Sequence, residues 1–396
     1  MNRFTEHRQS IRELASTPIT PSVILSLRKQ VDEETARELL AIASLQVKAR
    51  QKFGDGIWMA TARALEQASD QAVATYKASL MSDRVVVDLC GGIGGDAMAF
   101  ARRGSVVTVD CDPQMTRMAA ENLQAIQATH AAAVCADATS YVSRESVSAR
   151  HVGLHVDPDR RPHGRRTTAP DEYQPSLTVL SDMVSAAGAS LIKLAPAADL
   201  DQVTSSEHHR QWISFAGSVR EQSVLGGDCM SVAGVAPGTR SAVRLMKDGS
   251  RQMFAAALST VAMPGVAAVL SPLKYILDLD PAIRAAGLSS AFAETLGLQC
   301  LGDASGFFTS DQLPGDSALV QPFECLWSGP ADRKLIRKQL AALGLRLQVA
   351  KVRGTDHDPP SLIRALNRSP LDDRRPATLL LGRHRDAVYA VLGKPC

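Results

Sequence analysis

The stretch VVVDLCGGIGGD at residues 85–96 decides the fold of this chain. Its first residues are mostly β-branched and apolar, which predicts a buried strand. Four glycines follow, and they let the backbone turn sharply and let a bulky nucleoside lie against main chain that carries no Cβ. A helix is expected to begin near Asp96. This order of strand, glycine turn and helix predicts a ligand site, and the strands that follow indicate which ligand it takes.

Acidic residues end the next three predicted strands. The strand that starts at Ser105 ends at Asp110. This residue lies about 20 residues after the glycines, the spacing at which a carboxylate reaches ribose hydroxyls. Strands expected at residues 131–136 and 151–156 are followed directly by Asp137 and Asp157. Because ligands of an open parallel sheet bind outside the carboxyl ends of its strands, these acids should converge on one crevice.

The ordered motifs DLCGGIGGD, VTVDCDP, CADAT and HVDPDRR resemble those of class I S-adenosylmethionine-dependent methyltransferases. The element DPDRR at residues 157–161 is similar to the Asp-Pro-Pro-aromatic element of enzymes that methylate exocyclic amines of nucleic-acid bases. The whole chain resembles a bacterial family that joins such a catalytic domain, related to trimethylguanosine synthase, to a C-terminal THUMP-like domain. The match includes ALEQAS at 64–69, KLAP at 193–196 and KVRGTD at 351–356.

The resemblance implies an α/β architecture in three parts. It implies a helical N-terminal segment at residues 1–80, a doubly wound, Rossmann-like methyltransferase sheet at 81–260 and an α+β THUMP-like domain at 261–396. The residue pattern agrees, since acids at 32–34 followed by an apolar face predict helices before residue 80. A fifth strand is expected at 190–194, and a terminal hairpin around the turn at 216–218.

The same resemblance assigns residues to the methyl donor, S-adenosylmethionine. Asp110 would contact the ribose, and Asp137 the adenine amino group, with Ala138 beside it. Asp112 fits either a donor contact or the N-cap of the helix that begins at Pro113. The residues expected at the methionine end of the donor are Asp88, Gly92 and Gly94, and Asp96 is also expected to bind the donor.

Asp157 and Pro158 are the expected catalytic residues. Hydrogen bonds from an amine to the Asp157 carboxylate and the Pro158 carbonyl would localise the lone pair of the nitrogen and align it with the methyl group. Arg160 stands where related enzymes have an aromatic residue, and its guanidinium can stack on a base or bind phosphate. The alternative for Asp157-Pro158 is a turn that ends a strand. Arg161 and Arg165, with Arg166, either hold the substrate backbone or belong to a solvated loop.

Composition limits the other possibilities. With 396 residues the chain is long enough for two or three domains, and a net charge of +3 gives no global signal for a polyanion. The seven cysteines are scattered, without ligand spacing, and indicate reduced thiols in a cytoplasmic protein. We expect no metal site, because His208 and His209 lack a ligand pattern and are expected at the surface. The N-terminus has no apolar signal region, and no apolar stretch is long enough to span a membrane.

A basic stretch near the end of the chain points to a phosphate-rich partner. Residues 333–353 contain seven lysines or arginines and no acid. A helix should begin after Asp332 and stop at Gly344, with Arg333, Lys334, Arg337 and Lys338 on its outer face. Together with the resemblance, this stretch predicts RNA, either rRNA or tRNA, as the partner. Lys193, after the fifth strand, could neutralise Asp157 or touch the substrate.

Three other functions fit part of this sequence pattern. A nicotinamide-dependent dehydrogenase would also fit the glycines at 92–94, but it does not explain Asp137-Ala138 or the DPDRR element. A C5-pyrimidine methyltransferase needs a cysteine nucleophile after the fifth strand, where residues 194–197 read LAPA. A methyltransferase-fold protein that binds RNA without turnover is the third alternative, and donor binding without methyl transfer would favour it.

Overall fold

The computed structural model describes residues 3–81, 83–143, 151–159, 167–169, 172–198, 207–257, 266–302, 306–315, 317–367 and 374–396. The chain forms two compact units. The first unit comprises Met1–Gln211 and Arg220–Thr239, and the second comprises Trp212–Val219 and Arg240–Cys396. The division into three parts at residues 80 and 260 stays a prediction.

In the described part of the chain, five helices precede the first strand, a region where the sequence pattern predicts helices. Asp32 caps the longest of them by accepting a hydrogen bond from the amide of Thr35 at 2.9 Å, and Thr61 accepts one from the amide of Ala64 at 3.2 Å. The helices are α1 (Arg3–Ser16), α2 (Pro21–Gln30), α3 (Glu33–Phe53), α4 (Ala62–Gln67) and α5 (Gln71–Leu80).

The first seven strands of the described chain are β1 (Val85–Leu89), β2 (Val106–Asp110), β3 (Ala131–Cys135), β4 (Val152–Val156), β5 (Ala189–Leu194), β6 (His209–Phe215) and β7 (Ser218–Gly227). The parallel part of the sheet runs in the order β3-β2-β1-β4-β5, and β7 is added antiparallel to β5. Asp88 on β1 pairs with Thr108 on β2 and with His155 on β4, so all three strands end at one edge. The helices are α6 (Gly95–Ala101), α7 (Pro113–Ala125), α8 (Ala138–Tyr141), α9 (Leu177–Ala186) and α10 (Asp228–Ala233).

The side chain of Asn122 joins the N-terminal helices to this sheet layer. Its amide nitrogen donates to the carbonyls of Met59 and Ile93, both at 2.9 Å, and its oxygen accepts from the amide of Met59 at 2.8 Å. Asn122 is fully buried, so breaking this set would leave polar groups unsatisfied in the interior. The segment before α4 therefore has a fixed position over α7.

The predicted hairpin is formed by β6 and β7, which meet at the turn of Ala216 and Gly217. The expected surface position of His209 is wrong. Its ring is fully buried, and Nδ1 lies 2.8 Å from the hydroxyl of Thr239. Burial lowers the pKa of His209 to about 4, so the ring is neutral at physiological pH.

The later strands are β8 (Thr239–Leu245), β9 (Arg251–Ala257), β10 (Ala268–Val269), β11 (Tyr275–Leu279), β12 (Gln299–Leu301), β13 (Phe307–Ser310), β14 (Val320–Pro330), β15 (Leu345–Val352), β16 (Arg375–His384) and β17 (Ala387–Pro395). The last eight of these strands form a mixed sheet of the second unit in the order β10-β12-β13-β11-β14-β17-β16-β15, to which β8 and β9 do not belong. The helices of the second unit are α11 (Pro281–Ala285), α12 (Ser289–Thr295), α13 (Arg333–Ala342) and α14 (Pro359–Leu366). Apolar residues such as Ile336, Leu340 and Leu379 are buried between α13, α14 and the sheet.

The basic helix α13 has the predicted ends. Asp332 accepts a hydrogen bond from the amide of Leu335 at 2.8 Å, and Gly344 takes a φ of +60° after the last turn. Arg337, however, is half-buried rather than on the outer face, because its Nη2 donates to the carbonyl of Ala365 at 2.8 Å. This arginine packs α13 against α14.

Candidate active site

A cavity of about 670 Å³ opens at the carboxyl ends of β1, β2, β3 and β4. This is the edge at which an open parallel sheet binds ligands. The sheet side of the cavity is formed by Cys90, Gly91, Gly92, Ile93, Gly95, Asp96, Val109, Asp110, Cys111, Asp112, Met115, Asp137, Ala138, Asp157, Pro158 and Asp159. The remaining wall is formed by Thr61, Arg63, Ala64, Gln67, Ala68, Ser69, Gln174 and Pro175.

The glycine turn shapes one wall of this cavity. Gly92 has a φ of +56°, and a Cβ there would meet no protein atom within 4 Å. At Gly91, a Cβ would lie 1.8 Å from the hydroxyl oxygen of Thr108. Gly94, with a φ of +80°, faces Ala119 of α7 and does not line the cavity. The turn thus needs glycine for packing at two positions and presents bare main chain to the cavity at Gly92.

Asp88 lies behind this wall rather than in it. Its carboxylate is fully buried, accepts a hydrogen bond from the Thr108 hydroxyl at 2.8 Å and lies 2.6 Å from Nδ1 of His155. Asp88 therefore joins β1 to its two neighbouring strands. Because Asp88 does not line the cavity, it would affect donor binding by fixing the position of the glycine turn.

Asp110 holds the glycine turn from the end of β2. Its Oδ2 accepts the amide of Gly92 and its Oδ1 accepts the amide of Asp112, both at 2.9 Å. Burial raises the pKa of Asp110, and these two amides oppose the shift. Each oxygen of the Asp110 carboxylate is thus held by one backbone amide, which fixes the orientation of this carboxylate in the cavity wall.

Two further acids combine capping with cavity lining. Asp112 caps α7 by accepting the amide of Gln114 at 2.7 Å, so the N-cap alternative for this residue is correct. Asp137 caps α8 by accepting the amide of Thr139 at 2.9 Å, and the Thr139 hydroxyl lowers the pKa of Asp137. Both carboxylates line the cavity, as does Ala138.

Asp96 belongs to a buried ion cluster that the sequence did not reveal. The Lys77 ammonium lies 2.8 Å from Asp96 Oδ1 and 3.2 Å from Glu221 Oε1, and all three side chains are at most 6% exposed. The Ser69 hydroxyl donates to Asp96 Oδ2 at 2.8 Å. Burial acts to lower the pKa of Lys77, but the two carboxylates outweigh it and hold that pKa above its ordinary value.

Asp157 and Pro158 follow β4 and line the cavity, and the amide of Asp157 donates to the carbonyl of Leu89 at the end of β1 at 3.0 Å. The ammonium of Lys193 lies 2.6 Å from Asp157 Oδ2 and donates to the carbonyl of Gln67 at 3.2 Å. Lys193 itself does not line the cavity, and its side chain is 6% exposed. Lys193 thus forms an ion pair with Asp157, and its predicted contact with the substrate stays a prediction.

The sequence did not predict that α4 forms part of the cavity wall. Arg63 Nη2 lies 3.3 Å from Asp159 Oδ2, and Gln67 Nε2 donates to Asp159 Oδ1 at 3.4 Å. The only available signal was that ALEQAS at 64–69 belongs to the family resemblance, since nothing in its composition indicates a site.

Arg160, predicted as catalytic, and Arg161 and Arg165, predicted to bind the substrate, fall outside the described residues. Arg333 and Arg337 belong to the second unit. Within the described ranges, no group of three or more His, Cys, Asp or Glu side chains could hold a metal ion. No helix in the part of the chain that the structure describes is long and apolar enough to cross a membrane.

Comparisons with known proteins identify the family. The chain is 30% identical over 331 residues to S-adenosylmethionine-dependent methyltransferases of two strains of Mycobacterium tuberculosis, an alignment that covers 82% of this chain and 85% of each relative. The chain is an S-adenosylmethionine-dependent methyltransferase. Residues 83–156 also match the family described as RNA cap guanine-N2 methyltransferase. This match spans β1 to β4 of the methyltransferase, and therefore the glycine turn, Asp110, Asp112 and Asp137, and it ends one residue before Asp157.

A solved structure confirms the Rossmann-like fold. The crystal structure of a methyltransferase from Porphyromonas gingivalis W83 superposes with a TM-score of 0.77, covers 100% of this chain and 99% of that chain, and is 18% identical. The predicted α/β class is thereby confirmed. The dehydrogenase alternative is wrong because of the relatives with 30% identity, which are S-adenosylmethionine-dependent methyltransferases.

The cavity of this methyltransferase fits the S-adenosyl group. A nucleoside needs a carboxylate for its ribose and close approach to main chain, which Asp110 and Gly92 provide. The predicted donor residues in the cavity wall are Gly92, Asp96, Asp110, Asp112, Asp137 and Ala138. Their individual contacts with the donor stay predictions.

Proposed function

We propose that this methyltransferase modifies the exocyclic amine of a guanine in RNA. The observation that carries the proposal is a pair of acceptors on consecutive residues of the cavity wall. Asp157 Oδ2 is bound to Lys193, whereas Asp157 Oδ1 and the Pro158 carbonyl accept no hydrogen bond from the described residues. An exocyclic amine has two N–H groups, so it matches this pair of acceptors.

The chemistry requires alignment more than acid or base catalysis. When bound, S-adenosylmethionine supplies an electrophilic methyl group with a neutral leaving group. Asp157 and Pro158 accept the two N–H groups, which localises the nitrogen lone pair and aims it along one direction. The Lys193 ammonium holds the carboxylate in place, and the Asp157 carboxylate lies against the positive charge that develops on the amine. As the nitrogen gains the methyl group it loses one of its two protons, which Asp157 Oδ1 accepts and passes to solvent.

The family match at residues 83–156 supports guanine N2 as the acceptor and RNA as the substrate. The basic residues of the second unit support RNA only in part. Lys351 and Arg353 each bind Asp278, at 2.7 and 3.1 Å, so they belong to an ion cluster. The exposed cations Arg333, Lys334 and Lys338 of α13 are the better candidates for phosphate contacts.

The second unit has a separate role in this proposal. Residues 261–396 form the THUMP-like domain, which positions an rRNA or a tRNA, and residues 81–260 carry the methyl transfer. Arg160 stacks on the target base or binds its phosphate, while Arg161 and Arg165 hold the adjoining backbone.

Nucleoside mass spectrometry tests this function. Ribosomal RNA and tRNA from the source organism and from a strain that lacks the gene would be digested and compared. The proposal expects one N2-methylguanosine to be missing from the mutant RNA and restored by purified protein with S-adenosylmethionine. Donor binding with an unchanged set of modified nucleosides would instead favour an RNA-binding protein without turnover.

A further inference from the structure

A charged pair lies on the acceptor side of the cavity, beside the two groups that hold the amine. Arg63 of α4 and Asp159 form this pair with 3.3 Å between Nη2 and Oδ2. Their side chains are 57% and 41% exposed, and both residues line the cavity. An exposed ion pair of this kind contributes little to stability, typically about 0–1 kcal/mol. Folding energy alone gives no strong reason for placing it in the wall of an active site.

The helix that carries Arg63 is held firmly at its C-terminal end. Lys52 Nζ donates to the carbonyls of Leu65 and Glu66, at 2.8 and 3.2 Å, and Lys193 Nζ donates to that of Gln67 at 3.2 Å. Cations at this end also interact favourably with the helix dipole. Arg63 is therefore carried by a helix whose position is fixed. Lys193 links this helix to Asp157, because its ammonium binds both the Gln67 carbonyl and the Asp157 carboxylate.

The position of Asp159 is fixed by its backbone. Its amide donates to the carbonyl of Gln174 at 2.9 Å, and the amide of Gln174 donates back at 3.1 Å. Asp157 and Asp159 flank Pro158, and all three residues line the cavity. The carboxylates of Asp157 and Asp159 and the guanidinium of Arg63 therefore belong to the same wall of the cavity.

Guanine has a matching order of groups on its Watson–Crick edge, where the N2 amine and N1–H donate and O6 accepts. In adenine and cytosine, by contrast, the ring nitrogen next to the exocyclic amine is an acceptor. An ionised carboxylate is an acceptor only, whereas a guanidinium is a donor only. Asp159 beside the amine site therefore attracts N1–H of guanine and repels the ring-nitrogen lone pair of the other two bases.

We infer that Asp159 and Arg63 form a base-reading subsite, in which Asp159 accepts N1–H of the target guanine and Arg63 donates to O6. The inference rests on the proposed function, because it takes the amine to lie at Asp157 and Pro158. A carboxylate offers about four acceptor positions, so Asp159 can keep Arg63 and bind N1–H together. Selection by hydrogen bonding is effective because a base that lacks the matching group leaves a site residue unpaired.

Nucleotide binding to the full chain tests the subsite without knowledge of the RNA. Calorimetry would measure GMP, IMP and the 5′-monophosphate of 2-aminopurine riboside in the presence of saturating S-adenosylhomocysteine. 2-Aminopurine keeps the N2 amine of guanine but has an acceptor at N1 and no O6. GMP should bind about 10- to 100-fold more tightly than the 2-aminopurine nucleotide. Asp159→Asn should remove most of this preference, since its amide can donate to N1.

Three comparisons separate the roles. IMP has N1–H and O6 but no amine, so its affinity should fall with GMP in Asp159→Asn. Arg63→Gln should weaken GMP and leave the 2-aminopurine nucleotide unchanged. Arg37→Gln on α3, whose side chain is 75% exposed and which does not line the cavity, should change none of these values.

The outcomes distinguish this subsite from the proposed function. Equal affinity of the wild type for GMP and the 2-aminopurine nucleotide, or an unchanged preference in Asp159→Asn, would overturn the subsite alone if guanine N2 in RNA is still methylated. If no nucleotide binds and no guanine in RNA is methylated, both proposals are wrong.

Discussion

The ammonium of Lys193 lies 2.6 Å from the Asp157 carboxylate, and the side chain of Asp157 is 26% exposed while that of Lys193 is 6% exposed. The lysine is therefore on the protein side of the pair and the carboxylate is on the cavity side. A buried cation that reaches a cavity carboxylate restricts which oxygen can accept a substrate. In the proposed mechanism, that oxygen is Asp157 Oδ1.

Lys193→Met should slow methyl transfer by about 10- to 100-fold, because a carboxylate displaced by about 1 Å no longer aligns the amine. The affinity for S-adenosylhomocysteine should change less than about twofold, since Lys193 does not line the cavity. Lys193→Arg retains the charge and should recover part of the rate. Lys29→Met, at an exposed position on α2, is the surface control. A Lys193→Met enzyme with wild-type turnover would show that the pair has no positioning role.

Gly92→Ala should weaken S-adenosylhomocysteine binding by about 5- to 150-fold, because the added methyl group meets no protein atom and extends from the cavity wall. Its φ of +56° also costs about 1–2 kcal/mol of stability in any L-residue. Gly234, with a φ of +71° and no atom within 4 Å of a Cβ, lies outside the cavity lining and supplies the matched control. Gly234→Ala should lower the unfolding temperature similarly and leave the affinity unchanged. Equal affinity losses in the two variants would contradict a donor site at Gly92.

Donor affinity should fall on acidification because of Asp110. Burial raises the pKa of Asp110, whereas the hydroxyl of Thr139 lowers that of Asp137, so Asp110 takes up its proton first as pH decreases. Protonation removes a charged acceptor for the ribose, which is worth about 1.5–3 kcal/mol. Titrations between pH 8 and pH 4.5 should show this loss in the wild type. Asp110→Asn should bind weakly with a flatter pH profile, and an equally steep profile in that variant would rule out Asp110 as the titrating group.

Replacing Arg333, Lys334 and Lys338 with glutamine should reduce the slope of log RNA affinity against log salt, by about 0.7–0.9 for each lost phosphate contact. Donor affinity should be unaffected. Arg337→Gln should affect stability rather than RNA binding, because Arg337 binds the Ala365 carbonyl and so stabilises the packing of α13 on α14. It should lower the unfolding temperature with little effect on the slope. An unaltered slope in the triple variant would mean that the helix face is only a solvated surface.

The sheet and its ligand edge could be predicted from sequence because their signals are local. An apolar strand, four glycines and an acid at the end of the next strand are contiguous patterns, and Gly92 and Asp110 are joined by a hydrogen bond of 2.9 Å in the structure. The helix cap at Asp332 is equally local, since its side chain accepts from an amide three residues away. The sequence predicts Asp32 in the first turn of a helix, and the structure shows it as the N-cap.

The remaining site features depend on residues far apart in the chain. Lys77 meets Glu221 across 144 positions, and Arg63 meets Asp159 across 96. No single segment contains the information that these charges are neighbours, and α4 has no composition that marks it as part of a site. The partner of Lys351 could not be predicted for the same reason. Lys351 lies in a stretch that contains no acid, and it binds Asp278, which is 73 positions away.

The most direct test of the proposed reaction uses donor with a deuterated methyl group and compares the wild type with Asp157→Ala and Asp157→Asn. RNA from a strain that lacks the gene would be incubated with each protein, digested and analysed by mass spectrometry. We expect labelled N2-methylguanosine with the wild type and a loss of about 10²- to 10³-fold in rate with Asp157→Ala. The affinity for S-adenosylhomocysteine should be unchanged in both variants. Labelled N2-methylguanosine formed at the wild-type rate by Asp157→Ala would contradict the proposed reaction.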